Sequence, residues 1–175
     1  MKAMPWMIPE RYLDEYQLSV TQSCSTLTGG RHWIQGFAGT GKTVLLVHIA
    51  RRLLVVNPEL SICIITYTNA LTNLIQTGLT EEGEETTGVM TFHRFLGERR
   101  EYDVVLVDEI QDIPKEKIKK INKLAKHLIV AGDHDQSIYE KGATEEEIEE
   151  VLSPKIYRLE TIYRLTEKIQ QIVQT

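Results

Sequence analysis

Two stretches of this chain carry side chains suited to handling phosphate. Gly36-Phe-Ala-Gly-Thr-Gly41-Lys42-Thr43 satisfies the pattern G-x-x-x-x-G-K-[ST] at every position. Glycines there let the backbone curl until successive N–H groups and a helix N-terminus converge on phosphate oxygens. Gly36, Ala38, Gly39, Thr40 and Gly41 would supply that cradle, Lys42 an ammonium for the terminal phosphates, and Thr43 a hydroxyl for Mg²⁺. The second stretch is Val104-Val-Leu-Val107 followed by Asp108 and Glu109. An aliphatic run ending in carboxylates places them at the carboxyl edge of a strand, where open α/β sheets bind ligands. Asp108 is placed to hold the metal, and Glu109 to orient and deprotonate an attacking water. Magnesium takes oxygen ligands and keeps several waters, so one hydroxyl, one carboxylate and two phosphates are sufficient. Together the two stretches specify a P-loop nucleoside triphosphatase, without saying which kind.

The elements that must position these groups follow from the apolar pattern. Runs at His32–Gly36, Ser61–Tyr67, Tyr102–Asp108, His127–Gly132 and Lys155–Leu159 predict strands, most of them buried on both faces. Helices are predicted at Gly41–Val56, Asn69–Thr77 and Pro114–Lys126, with Asp112 as an N-cap and Pro114 in the first turn. Thr144-Glu-Glu-Glu147 is a capping-box pattern opening a helix to Leu152, Pro154 stops it, and a last helix is expected from Thr166. Strands alternating with helical crossovers predict an α/β fold with a mostly parallel central sheet and helices on both faces. One domain is expected over residues 1–175, with residues 1–17 as an N-terminal extension and Thr80–Gly88 as a mobile loop.

Residues beyond Glu109 carry a resemblance to a known family. Asp108-Glu-Ile-Gln-Asp112 followed by Gly132-Asp-His-Asp-Gln136-Ser-Ile-Tyr139 resembles superfamily 1 helicases of the UvrD/Rep/PcrA group, specifically their first RecA-like domain. Thr66-Tyr-Thr-Asn-Ala-Leu71 and Thr91-Phe-His-Arg-Phe95 resemble motifs Ia and Ib of that family, and Leu159-Glu-Thr-Ile-Tyr163-Arg164 resembles the start of motif IV. Leu18-Ser-Val-Thr-Gln22 has the form of its Q motif. The resemblance implies ATP as nucleotide, with Gln22 reading the adenine edge and Tyr163 stacking on the base. It implies that Gln136 senses the γ-phosphate and that Arg164 reaches it as one of two arginine fingers, neutralising charge on the transferred phosphoryl. It further implies a single-stranded DNA partner, RNA being possible, held by Thr66, Tyr67, Thr91, His93 and Tyr139. Hydroxyls and an imidazole would bond phosphates, and tyrosines would stack on bases.

Departures from the pattern matter as much. The family's helical insertion between motifs Ib and II is missing, since few residues separate Phe95 from Val107. Glu140-Lys-Gly-Ala143 stands where the family places Trp-Arg, and Ala70 where it tends to have lysine. An absent aromatic platform removes about 1–3 kcal/mol of stacking. Nothing before Thr175 resembles motifs V and VI, so a second RecA-like domain is expected as a partner, and slow hydrolysis without it. The alternative reading is a nucleotide-gated switch serving a protein partner. The net charge of −5 confines any nucleic-acid contact to a local surface. Cys24 and Cys63 lack metal-ligand spacing, and with no apolar run near the ~20 residues of a membrane span, a cytoplasmic location is expected.

Overall fold

The structure is a computed structural model describing residues 7–80, 87–133 and 142–163. Six parallel strands form one sheet in the order β3-β2-β4-β5-β1-β6. They are β1 (Arg31–Gly36), β2 (Ile62–Thr66), β3 (Gly88–Thr91), β4 (Tyr102–Val107), β5 (Ala125–Gly132) and β6 (Lys155–Leu159). Helices α1 (Glu15–Cys24), α2 (Lys42–Val56) and α3 (Asn69–Thr80) contribute to the core on one face. On the other face lie α4 (Phe92–Glu98), α5 (Lys115–Leu124) and α6 (Glu145–Leu152). The strand runs are apolar throughout because both faces are covered, and Ile64, Ile65, Val104–Val107 and Ile129–Ala131 are fully buried.

Sequence expectation and structure differ at identifiable places. α1, β3 and α4 were not expected as elements. β3 has four residues, too few to show a period, and α4 follows it without a linking residue. Residues 7–17 are not an extension: Met7 and Leu13 join the core, and Asp14 caps α1 in a reciprocal capping box with Gln17. The box predicted at Thr144 and Glu147 is present. Pro114 is the N-cap of α5 rather than a first-turn residue, and Asp112 belongs to the short 3-10 turn before it. α5 ends at Leu124 and β5 begins at Ala125, so helix passes directly into strand. Carbonyls orphaned by that junction are taken up by Arg31, whose guanidinium donates to Asn122 O (3.2 Å), Ala125 O (3.0 Å) and Lys126 O (2.8 Å). Cys24 and Cys63 are free and buried. The expected mobile loop lies largely, and the final helix wholly, outside the described residues. Among the described residues no helix is long and apolar enough to cross a membrane.

Candidate active site

The carboxyl ends of β1, β4 and β5 meet at one edge of the sheet. Gly36 closes β1, and the loop to α2 turns through Gly39 (φ +85°) and Gly41 (φ +90°), the left-handed region that glycine enters without cost. Ala38 is exposed at the crest, and Thr40 is buried with its hydroxyl donating to Phe37 O at 2.9 Å. α2 begins at Lys42, so its first amides face the loop. The Lys42 ammonium is buried and donates to Gly36 O at 2.7 Å and Phe37 O at 3.0 Å.

Asp108 follows β4 and is fully enclosed. Thr43 Oγ1 donates to its Oδ2 at 2.8 Å, so the two oxygen donors expected for magnesium are in contact. Burial, together with the neighbouring Glu109, pushes the Asp108 carboxyl up to about 6, against the bond from Thr43 and the charge of Lys42. A carboxylate whose charge is disfavoured in this way gains most from a nearby cation. The hard-oxygen pair therefore fits magnesium, which when bound would offset negative charge on nucleotide phosphates.

Glu109 sits at φ +52°, a conformation costly for a residue with a side chain. Gln111 braces the turn: its Nε2 donates to Glu109 Oε2 at 2.8 Å, and its Oε1 accepts from Asp133 N at 3.2 Å. The brace requires Gly132, because a Cβ there would lie 2.4 Å from Gln111 Oε1 and 2.8 Å from Ile110 Cγ2. Burial and Glu109 also raise Asp112 to about 6. Gln111 had no assigned role in the sequence, although its place in Asp-Glu-Ile-Gln-Asp was a signal.

Beside the loop lies a cavity of about 440 Å³ walled by α1, Thr40 and the segment after β6. Gln22 is exposed on α1 and is not in this wall. Gln17 is: it is buried, accepts from Asp14 N at 3.2 Å, and donates from Nε2 to Thr40 O at 3.1 Å. The helical period explains the exchange, since Gln17, Val20, Thr21 and Cys24 form the buried stripe of α1 and Gln22 falls off it. Tyr163 lies in the cavity wall, with its N–H on Gly39 O at 2.9 Å and its hydroxyl bonded to Asp14.

Of the residues expected to touch a nucleic-acid strand, Thr66, Tyr67, Thr91 and His93 gather where β2 and β3 end, with Thr66 paired to Thr91 in register. Tyr67 stacks on Phe92 with centroids 5.6 Å apart, and Phe92 contacts His93 at 3.8 Å. His93 is exposed, and Thr91 and Tyr67 are partly so. Thr66 does not fit a surface role: it is fully buried, donating to Thr68 O at 3.1 Å and paired with Thr72 Oγ1 at 2.7 Å. Its hydroxyl secures the start of α3. Gln136, Tyr139 and Arg164 lie outside the described residues.

Comparisons with known proteins follow the same lines. The Candida albicans Pif1 helicase superposes with a TM-score of 0.62 at 21% identity, over 96% of this chain and 43% of that one. A Bacteroides Pif1 bound to ssDNA gives 0.56 at 16% identity, over 93% and 44%. Domain III of the Thermotoga maritima replication initiation protein DnaA gives 0.55 at 15%, over 92% and 68%. This chain thus spans less than half the length of the Pif1 chains. No curated protein matches its sequence. The shared fold is a RecA-like P-loop domain, a parallel central sheet flanked by helices. A family described as an AAA domain matches residues 18–142, more than half of the sequence, and the chain belongs to that AAA domain family.

Proposed function

We propose that the chain binds ATP with magnesium and hydrolyses it as the first motor domain of a UvrD-like helicase or translocase acting on single-stranded nucleic acid. One observation carries the reading: Thr43 and Asp108 are in direct contact beside the Lys42 loop, with Glu109 turned out of the strand next to them. Triphosphate would take the loop amides and displace the carbonyls of Gly36 and Phe37 from the Lys42 ammonium. Thr43 and Asp108 would hold magnesium. Glu109, steadied by Gln111, would accept the proton of the attacking water.

The base would enter the cavity beside Thr40. We assign to Gln17 the adenine-reading role expected of Gln22, because Gln17 lines that cavity and one of its amide N–H groups remains for a ligand. Tyr163 offers the stacking face, and Gln136 and Arg164 keep their γ-phosphate roles in this reading. The second arginine finger, and the closing surface over the nucleotide, would come from a second RecA-like domain. The strand would run over Tyr67, Thr91, His93 and Tyr139.

Calorimetric titration of Mg²⁺-ATP into the wild-type chain and the Lys42→Ala variant tests the core of this reading. Heat of binding is expected for the first and its loss for the second; no heat in either would sink it. Turnover stimulated by a single strand, once a second RecA-like domain is supplied, tests the motor assignment.

A further inference from the structure

α5 and the residue after next carry six lysines, at 115, 117, 119, 120, 123 and 126, against one carboxylate, Glu116. The chain as a whole carries −5. Such a concentration of cations in an acidic protein marks the place where a polyanion can approach. Ile118 and Ile121 are buried and fix the helix with its opposite side outward.

The six ammonium groups are not equivalent. Lys115 is taken by Glu150 at 2.6 Å, Lys119 by Glu116 at 2.7 Å, and Lys126 by Asp103 at 2.8 Å. Lys117, Lys120 and Lys123 have no carboxylate partner among the described residues; Lys120 and Lys123 are exposed and Lys117 partly so. Spaced by three residues, they climb the helix in steps of about 4.5 Å. This is a short ladder of unpaired positive charge rather than a self-neutralised surface. The acidic helix α6 pairs its Glu150 with Lys115 and reaches the far end of α5 only through the Val151 carbonyl, which accepts from Asn122 Nδ2 at 3.4 Å.

We propose that α5, through Lys120 and Lys123 on its outward face and Lys117 on its flank, is an anchoring surface for the phosphate backbone of nucleic acid, separate from the strand path at the ends of β2 and β3. The inference rests on the reading that this chain works on nucleic acid. Its contacts are with phosphate alone and carry no base preference. The aromatic residues near Tyr67 would supply stacking, and α5 would supply charge.

Each phosphate contact made by a lysine releases counterions, and this gives a signature that a merely solubilising helix lacks. The slope of log K against log salt is steepened by about 0.9 per contact on a duplex and about 0.7 on a single strand. Fluorescence anisotropy would follow a labelled mixed-sequence duplex and a labelled single strand between about 50 and 200 mM salt. The wild-type chain would be compared with a Lys117→Gln, Lys120→Gln, Lys123→Gln triple variant and its Lys→Arg counterpart. The Gln variant is expected to lose up to about 2.7 of slope on the duplex or about 2.1 on the single strand, with the Arg variant restoring it. Whichever ligand shows the loss is the form that α5 holds. Equal slopes and affinities for wild type and Gln variant on both ligands would overturn the proposal, including a case in which α5 captures an acidic protein instead. Titrating Mg²⁺-ATP in parallel separates the failures. A lost slope with no nucleotide heat condemns the nucleotide reading alone, and normal heat with unchanged slopes condemns this one.

Discussion

Arg31 and Lys42 stand near opposite ends of β1, both partly or wholly buried, and both bind main-chain carbonyls. Arg31 donates to Gly29, Gly30, Asn122, Ala125 and Lys126 carbonyls and, through Nε, to the Asn122 side chain. A guanidinium has five N–H groups, so it is saturated. Lys42 meets two carbonyls of its own loop, and Phe37 O, one of them, also accepts from Thr40. Three of the acceptors around Arg31 are carbonyls of the helix-to-strand junction that it alone reaches from a side chain, whereas Phe37 O keeps its bonds from Thr40 without Lys42. One cation is part of the scaffold. The other is stored beside replaceable acceptors, ready to exchange them for phosphate. At the amino end of β1 the buried cation therefore serves stability, and at the carboxyl end it lies beside a phosphate-binding loop.

The largest test of that division is Lys42→Ala, expected to weaken Mg²⁺-ATP binding by about 100-fold or more while changing unfolding free energy by no more than about 1 kcal/mol. Calorimetry and urea unfolding would read the two quantities; a large stability loss would erase the contrast. Arg31→Met should do the reverse. Removing so many bonds to junction carbonyls should cost about 3 kcal/mol in urea unfolding and leave the ATP affinity of the folded protein unchanged.

Acid should act at the Arg31 end too. His32 is buried, and burial first, then His127 and Lys155, hold its imidazole down to about 4. The unfolded chain takes up that proton near pH 6.5 and the folded chain only near 4, so stability falls as pH drops through this window. The loss attributable to His32 approaches about 3 kcal/mol at its lower end. Urea midpoints from pH 7 to 4 should fall less steeply in His32→Phe than in wild type; parallel curves would refute the assignment. The smallest effect is expected at the other end of the sheet. Gln111→Ala should lower ATP turnover about tenfold with ATP affinity preserved, since the glutamine orients Glu109 and touches no nucleotide-binding group. A change in binding rather than turnover would show that Gln111 acts on the pocket itself.

What could be read without coordinates divides in a similar way. Glycines, lysine and threonine at fixed spacing report a backbone shape, so the loop at Gly36–Thr43 was legible, as was Asp108 at the end of an aliphatic run. The five longer strands and the parallel sheet followed from apolar runs bounded by turn residues. Gln22 rather than Gln17 was singled out because both glutamines follow a leucine at the same interval, Leu13 for one and Leu18 for the other. Only the phase of α1 separates them, and α1 had not been recognised as a helix. Thr66 was expected at the nucleic-acid strand from the resemblance of Thr66–Leu71 to motif Ia, and a hydroxyl at the polar end of an apolar strand can equally turn inward to cap, as it does here. The brace from Gln111 to Asp133 joins the ends of β4 and β5, and such a tertiary contact leaves no local pattern.

The direct passage from α5 into β5 also has a mechanical meaning. With no residue between Leu124 and Ala125, helix and strand have no slack, and β5 ends at Gly132, against the glutamine that steadies Glu109. The lysine-bearing helix and the strand that leads to the Gln111 brace are thus one unbroken run of chain, held in register by β4 and β1 on either side.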